Sequence, residues 1–156
     1  MNSTRRLFVK GGMVAVTAVL TGITGLLKPL TVFAARNREA FSAKSESEAV
    51  SAYFPGQGIK PSDAIDIGVH DVVENGAYVP VNITTKLPGV NSITILVEKN
   101  PNPLIASFNL GPECTGFIAT RIKMAEPSNI IAIVRSQNRL FSARKYVDVI
   151  AGGCGT

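Results

Sequence analysis

The sequence predicts an all-β protein folded as an antiparallel sandwich, and three observations carry that expectation. About seven short runs alternate apolar with polar or small residues, the two-residue period of a strand with one buried face. Turn residues rich in Gly, Pro and Asn separate these runs at short intervals. No run is followed by a long helical segment, which argues against a doubly wound α/β arrangement.

The first element is an address rather than a structural unit. Thr4, Arg5, Arg6, Leu7, Phe8, Val9 and Lys10 match the twin-arginine export pattern. Residues Gly11 to Leu27 carry no charge and are only moderately apolar, and Lys28 and Pro29 close the run. Val32, Phe33 and Ala34 then offer small or modest residues at the positions a signal peptidase reads, so residues 1–34 are expected to be a signal peptide cleaved after Ala34. The competing reading is a retained anchor, because the run is near the lower limit for crossing a bilayer. Cleavage predicts a periplasmic protein with no membrane attachment.

Cleavage also changes the charge argument. The whole chain has 16 basic and 11 acidic residues, but Arg5, Arg6, Lys10 and Lys28 belong to the signal and every acidic residue lies beyond it, leaving 12 against 11 and a net charge of +1. No basic patch interleaved with aromatics remains, and a nucleic-acid partner is not expected. Asn82, Ile83 and Thr84 form a chance glycosylation match in such a protein.

The next element, within a helical segment at residues 35–60, is a short amphipathic helix from Arg36 to Tyr53, ended by Pro55 and Gly56. The period then changes. Ile65, Ile67 and Val69 open a β domain at residues 61–150, followed by Val79, Val81 and Ile83, by Ile93, Ile95 and Val97, and by Ile118, Ile122 and Met124. Shorter runs lie at Leu104 to Leu110, Ile130 to Val134 and Leu140 to Ile150. Turn signals at Glu74–Gly76, Leu87–Gly89, Asn100–Pro103, Gly111–Pro112 and Glu126–Asn129 complete the pattern of an immunoglobulin-like sandwich. Pro80 predicts an edge position or a bulge in its strand, since proline cannot donate to a ladder.

Several conventional sites fail on their residues. Gly56, Gln57 and Gly58 begin like a dinucleotide loop but continue Ile59, Lys60, Pro61, so they read as a loop. His70 is the only histidine, which excludes a histidine-rich metal cluster and leaves a surface or hydrogen-bonding role. Asp63, Asp66, Asp71 and Glu74 match no calcium loop and read as a solvated face. Arg121 and Lys123 share the outward side of their strand. No catalytic set, cofactor site or metal site is expected.

Two cysteines remain. Cys154 stands in Ala151, Gly152, Gly153, Cys154, Gly155, Thr156, and residues 151–156 read as a mobile arm because glycine lacks a Cβ restraint. Such a thiol has nothing beside it in sequence to activate it, so activation falls to the active site that receives it. An even cysteine count in an exported chain also admits a Cys114–Cys154 staple and with it a binding or structural module. A third reading, a thiol enzyme acting alone, needs a base and has only His70 to supply it.

Gly152, Gly153, Cys154 and Gly155 at the C-terminus, behind a twin-arginine signal and a sandwich, resemble the SoxY family, sulfur-carrier subunits of the periplasmic thiosulfate-oxidising system. Within the domain, Glu74, Asn75 and Gly76 before Val79, Pro80 and Val81, Asn100, Pro101, Asn102 and Pro103 before Phe108, and Thr120, Arg121, Ile122 and Lys123 are similar to that family's pattern. The family's motif usually ends in two glycines, whereas Gly155 and Thr156 end this chain, and Cys114 is not part of the pattern. The resemblance implies that Cys154 carries sulfur covalently and does not catalyse, while Gly152, Gly153 and Gly155 let it move. It also implies a heterodimer with a SoxZ-like sandwich subunit. The other implied partners are a c-type cytochrome that joins thiosulfate to Cys154, a hydrolase that releases sulfate, and a sulfane dehydrogenase that processes the remaining sulfur.

Overall fold

The computed structural model describes residues 37–150. The expected signal at 1–34 and arm at 151–156 lie outside the described residues. Helices α1 (Arg38–Ser42) and α2 (Glu46–Tyr53) lead into nine strands: β1 (Ile59–Pro61), β2 (Ile65–Gly68), β3 (Val72–Val73), β4 (Val79–Thr85), β5 (Val90–Val97), β6 (Leu104–Asn109), β7 (Phe117–Ile122), β8 (Ser128–Ser136) and β9 (Arg139–Val149). One sheet has the order β1-β9-β8-β5-β6 with β3 also on β9, and the second has the order β2-β4-β7.

The sandwich bears out the predicted fold class, with a third layer. In β4, Val79, Val81 and Ile83 are buried while Pro80, Asn82 and Thr84 are exposed, the alternation of a strand with one wet face. β5 and β8 instead bury almost every residue. Ile93, Ile95, Val97, Ile130, Ala132 and Val134 fill the core between the sheets, whereas Leu96, Ile131 and Ile133 pack with Ala40, Ala49 and Phe54 in a second core on the helix side. The helices therefore cover part of the outer face of the larger sheet.

The single expected helix is two. Ser45 caps α2 by accepting from the Glu48 amide at 3.2 Å, and Glu48 reaches back to the Lys44 amide at 3.0 Å. That reciprocal pair starts a new helix and breaks the run at Ala43 to Ser45. Asn37 caps α1 in the same manner, accepting from Ala40.

Pro80 takes the expected edge position locally, although β4 is the central strand of its sheet. β2 pairs only from Thr85 back to Asn82, so Pro80 has β7 on one side and no ladder neighbour on the other. Met124 lies just beyond β7, its side chain still in the core. The β8–β9 hairpin turns through Gln137 and Asn138 at φ 48 and 62, a two-residue connection whose left-handed pair matches the strand twist.

The β7–β8 connection is held by one buried side chain. Asn100 donates through Nδ2 to the Lys123 carbonyl at 2.7 Å and accepts at Oδ1 from the Ala125 amide at 2.8 Å. Asn100→Ala would leave both backbone groups without this partner, and we expect a loss of about 2 kcal/mol in urea unfolding at unchanged m-value.

Candidate functional site

The site is built where β9 ends. Up to Val147 the strand is paired with β8, and its last residues change neighbour: Val72 and Val73 of β3 run parallel to Asp148 and Val149. Asp148 donates its amide to the Asp71 carbonyl at 2.8 Å, and Ile150 donates to the Val73 carbonyl at 3.0 Å. Val149 packs on the core, and Lys145 secures the loop before β3 by donating Nζ to the Val69 carbonyl at 2.7 Å and pairing with Asp71 at 3.0 Å. The root of the C-terminal segment is thus fastened to its final described residue.

A close approach makes this junction possible. Gly76 accepts from the Met124 amide at 2.7 Å, and a Cβ on Gly76 would overlap the Met124 carbonyl oxygen and touch Val149 Cγ1 at 3.0 Å. The Glu74–Gly76 turn expected from sequence is therefore also a packing surface.

Cys154, Gly152, Gly153 and Gly155, the predicted site residues, lie outside the described residues. Cys154 follows Ile150 by four positions, so its Cα is at most about 14 Å from that of Ile150. Cys114 is an exposed free thiol in the β6–β7 connection. It borders a cleft with Gly89, Asn91 and Gly116, and Gly89 accepts from the Gln137 amide at the β8–β9 turn. Cys114 accordingly sits at the end of the sandwich where β9 begins, and the Cys154 segment leaves where β9 finishes.

That separation argues against a disulfide between the two cysteines. The eleven residues of β9 span about 33 Å at strand rise. The segment's about 14 Å, plus at most about 7 Å between bridged Cα atoms, falls short. Peptide mapping of the air-oxidised folded monomer is expected to show no Cys114–Cys154 linkage; recovery of that linked peptide in the monomer would refute the geometry.

The other expected features stay apart from the root or on the surface. His70, Asp63, Asp66, Asp71 and Glu74 are exposed, as are Arg121 and Lys123, with Arg121 stacked over Tyr78 at 4.9 Å. Among the described residues no group of three His, Cys, Asp or Glu side chains is placed to hold a metal ion. Sequence reasoning missed β3 and the exposed side chains beside it, Val72, Tyr146 and Ile150. The available signal was apolar character on both faces at the end of β9.

Fold and site define a class: β-sandwich proteins whose last strand is tied down at its far end and leads within four residues to a cysteine. The family profile described as sulfur oxidation protein SoxY matches residues 50–154, ending on that cysteine. The structure of the sulfur carrier protein SoxY from Chlorobium limicola f thiosulfatophilum is 35% identical, covering 70% of this chain and 96% of that one, with a TM-score of 0.63. The chain belongs to the SoxY family. A superoxide reductase (neelaredoxin) from Ignicoccus hospitalis shares the fold at 14% identity, covering 59% of this chain and 95% of that one, with a TM-score of 0.53. No curated protein matches the chain.

Proposed function

We propose that this chain is a sulfur-compound carrier in thiosulfate oxidation, holding intermediates covalently on Cys154 and presenting them to partner enzymes. The observation that carries this reading is the family match, which runs through the sandwich and ends at Cys154. Similarity to a protein described as a sulfur carrier supports it. The twin-arginine pattern at Arg5 and Arg6 supports export to the periplasm, and the family supports a heterodimer with a SoxZ-like subunit.

Loading forms an S–S bond between Cys154 and the terminal sulfur of thiosulfate. The thiol proton would leave to solvent, and the two electrons released would be taken up one at a time by the oxidising c-type cytochrome. A hydrolase then adds water across the bond between sulfane sulfur and sulfonate, releasing sulfate and leaving a Cys154 persulfide for a sulfane dehydrogenase. The chain's own contribution is mechanical and positional. Its body fixes Ile150, and the short segment beyond keeps the Cα of Cys154 within about 14 Å of that point. Tethering keeps each intermediate at high local concentration for the next enzyme.

Intact-protein mass spectrometry after incubation with thiosulfate and the oxidising cytochrome tests the reading. The expected result is a mass gain of one thiosulfate group, mapped to Cys154 by fragmentation. No gain, or a gain mapped to Cys114, overturns it.

A further inference from the structure

Helices α1 and α2 cover only part of the outer face of the larger sheet. They pack over Leu96, Leu104, Ile131, Ile133 and Leu140. Toward the end of β9 no other described element covers the same face, and it carries Tyr146 at 57% exposure, Ile150 at 53% and Val72 at 51%. The ladder brings these three together. Tyr146, Asp148 and Ile150 alternate with the core residues Val147 and Val149, and Val72 is the register partner of Asp148. A single exposed apolar residue is ordinary, whereas three in one stretch of ladder form a patch.

Charge and shape continue the patch. Asp148 lies within it, and Glu74 follows Val73, whose carbonyl binds the Ile150 amide. Both carboxylates are exposed, and neither has an ion-pair partner among the described residues. On the other side, Asn129 opposes Tyr146 and donates to Glu98 at 2.7 Å. Glu98 and Arg144 line a cleft of about 760 Å³ between the sheet and the start of α2. Arg144, two residues before Tyr146 on the same side of β9, places this recess next to the patch.

We propose that Val72, Tyr146 and Ile150 are the surface on which the enzymes that receive Cys154 dock, and that the occupant is the rim of an active-site mouth bearing apolar and cationic side chains. The inference rests on the carrier role proposed above and adds where the body of the carrier is touched. Its warrant is the length of chain beyond Ile150 and where that chain starts. A Cys154 seated inside another protein's site leaves at most about 14 Å of chain between the thiol residue and Ile150. The rim of that site must then press against whatever surrounds Ile150, and what surrounds it is this patch. A site that acts on an anionic sulfur adduct carries positive charge, which Glu74 and Asp148 complement.

The test compares steady-state loading by the oxidising cytochrome for wild type, for Val72→Ser/Tyr146→Ser, and for Phe117→Ser. Phe117 is a control of similar exposure, 49%, at the opposite end of β7 from the Met124 contact. The double variant is expected to raise the KM for the carrier about tenfold or more with kcat little changed, the loss of a small apolar hot spot. Its Cys154 alkylation rate with iodoacetamide should match wild type, since a small reagent needs no docking surface, and Phe117→Ser should load normally. Unchanged KM in the double variant overturns the surface while leaving the carrier role intact. Failure of wild-type protein to load at Cys154 overturns both. Loss of the complex with the SoxZ-like subunit in sedimentation by the double variant gives the patch to that subunit and also overturns the proposal. Should the double variant melt early, the milder Tyr146→Gln, judged by the same KM, replaces it.

Discussion

Cys154→Ser is expected to fold and melt like wild type and to take up no sulfur at all. Both hydrophobic clusters are composed of residues no later than Val149, and the last backbone bond of the root is donated by Ile150, so the substitution removes no described contact. Its cost in stability should stay within about 0.5 kcal/mol. The chemical loss is complete for a different reason: a hydroxyl oxygen cannot form the disulfide-type bond that holds the adduct. Cys114→Ser should load as wild type, because Cys114 lies at the other end of the sandwich from Ile150. Intact mass and thermal melting of the two variants side by side read both effects. A thiosulfate adduct on Cys154→Ser would sink the carrier assignment.

Gly76→Ala is expected to be among the most destabilising single-methyl additions in this protein, at about 3 kcal/mol. The new Cβ would meet the Met124 carbonyl oxygen, and that oxygen is backbone, immediately next to an amide already bonded to Gly76. No rotamer change relieves such a clash, so the β3–β4 connection and the end of β7 must move apart. Val149 lies against the same point, and the damage should therefore reach the root of the Cys154 segment. Urea unfolding measures the loss, and faster hydrogen exchange at the Asp148 and Ile150 amides reports the loosened root. Gly58→Ala is the control, with nothing within 4 Å of its added Cβ. Equal stability of the two variants would show that the close approach at Gly76 is wrong.

These two residues illustrate what could be read from sequence. Strands with one wet face, such as β4 with Val79, Val81 and Ile83, announce themselves by alternation, and the turns between them by Gly, Pro and Asn. β5 and β8 are apolar on both faces because helices cover one of them, a fact about packing that a strand's own residues do not state. The short parallel strands were illegible. β1 and β3 have three and two residues, too few for a period, and both pair with β9 far along the chain. The helix break was written as Ser45 and Glu48 but hidden inside a continuous run of good helix formers.

For the site, the thiol and its glycines were plain in sequence, while the anchorage was not. Tyr146 and Ile150 look like further core residues of an alternating strand until the helices are seen to stop short of them. Gly76 read as a turn residue and proves to be a contact, because only folding brings Met124 and Val149 against it.

The parallel pairing of β3 with the end of β9 has a mechanical consequence. On the proposed carrier role, drawing Cys154 out of a partner's active site would pull along β9 from its C-terminal end. The bonds from Asp148 to Asp71 and from Ile150 to Val73 lie across that line, so they are loaded together in shear and are not peeled one after another. The same holds for the antiparallel ladder to β8. The strand that leads to Cys154 is therefore held by ladders on both sides against a pull along its axis.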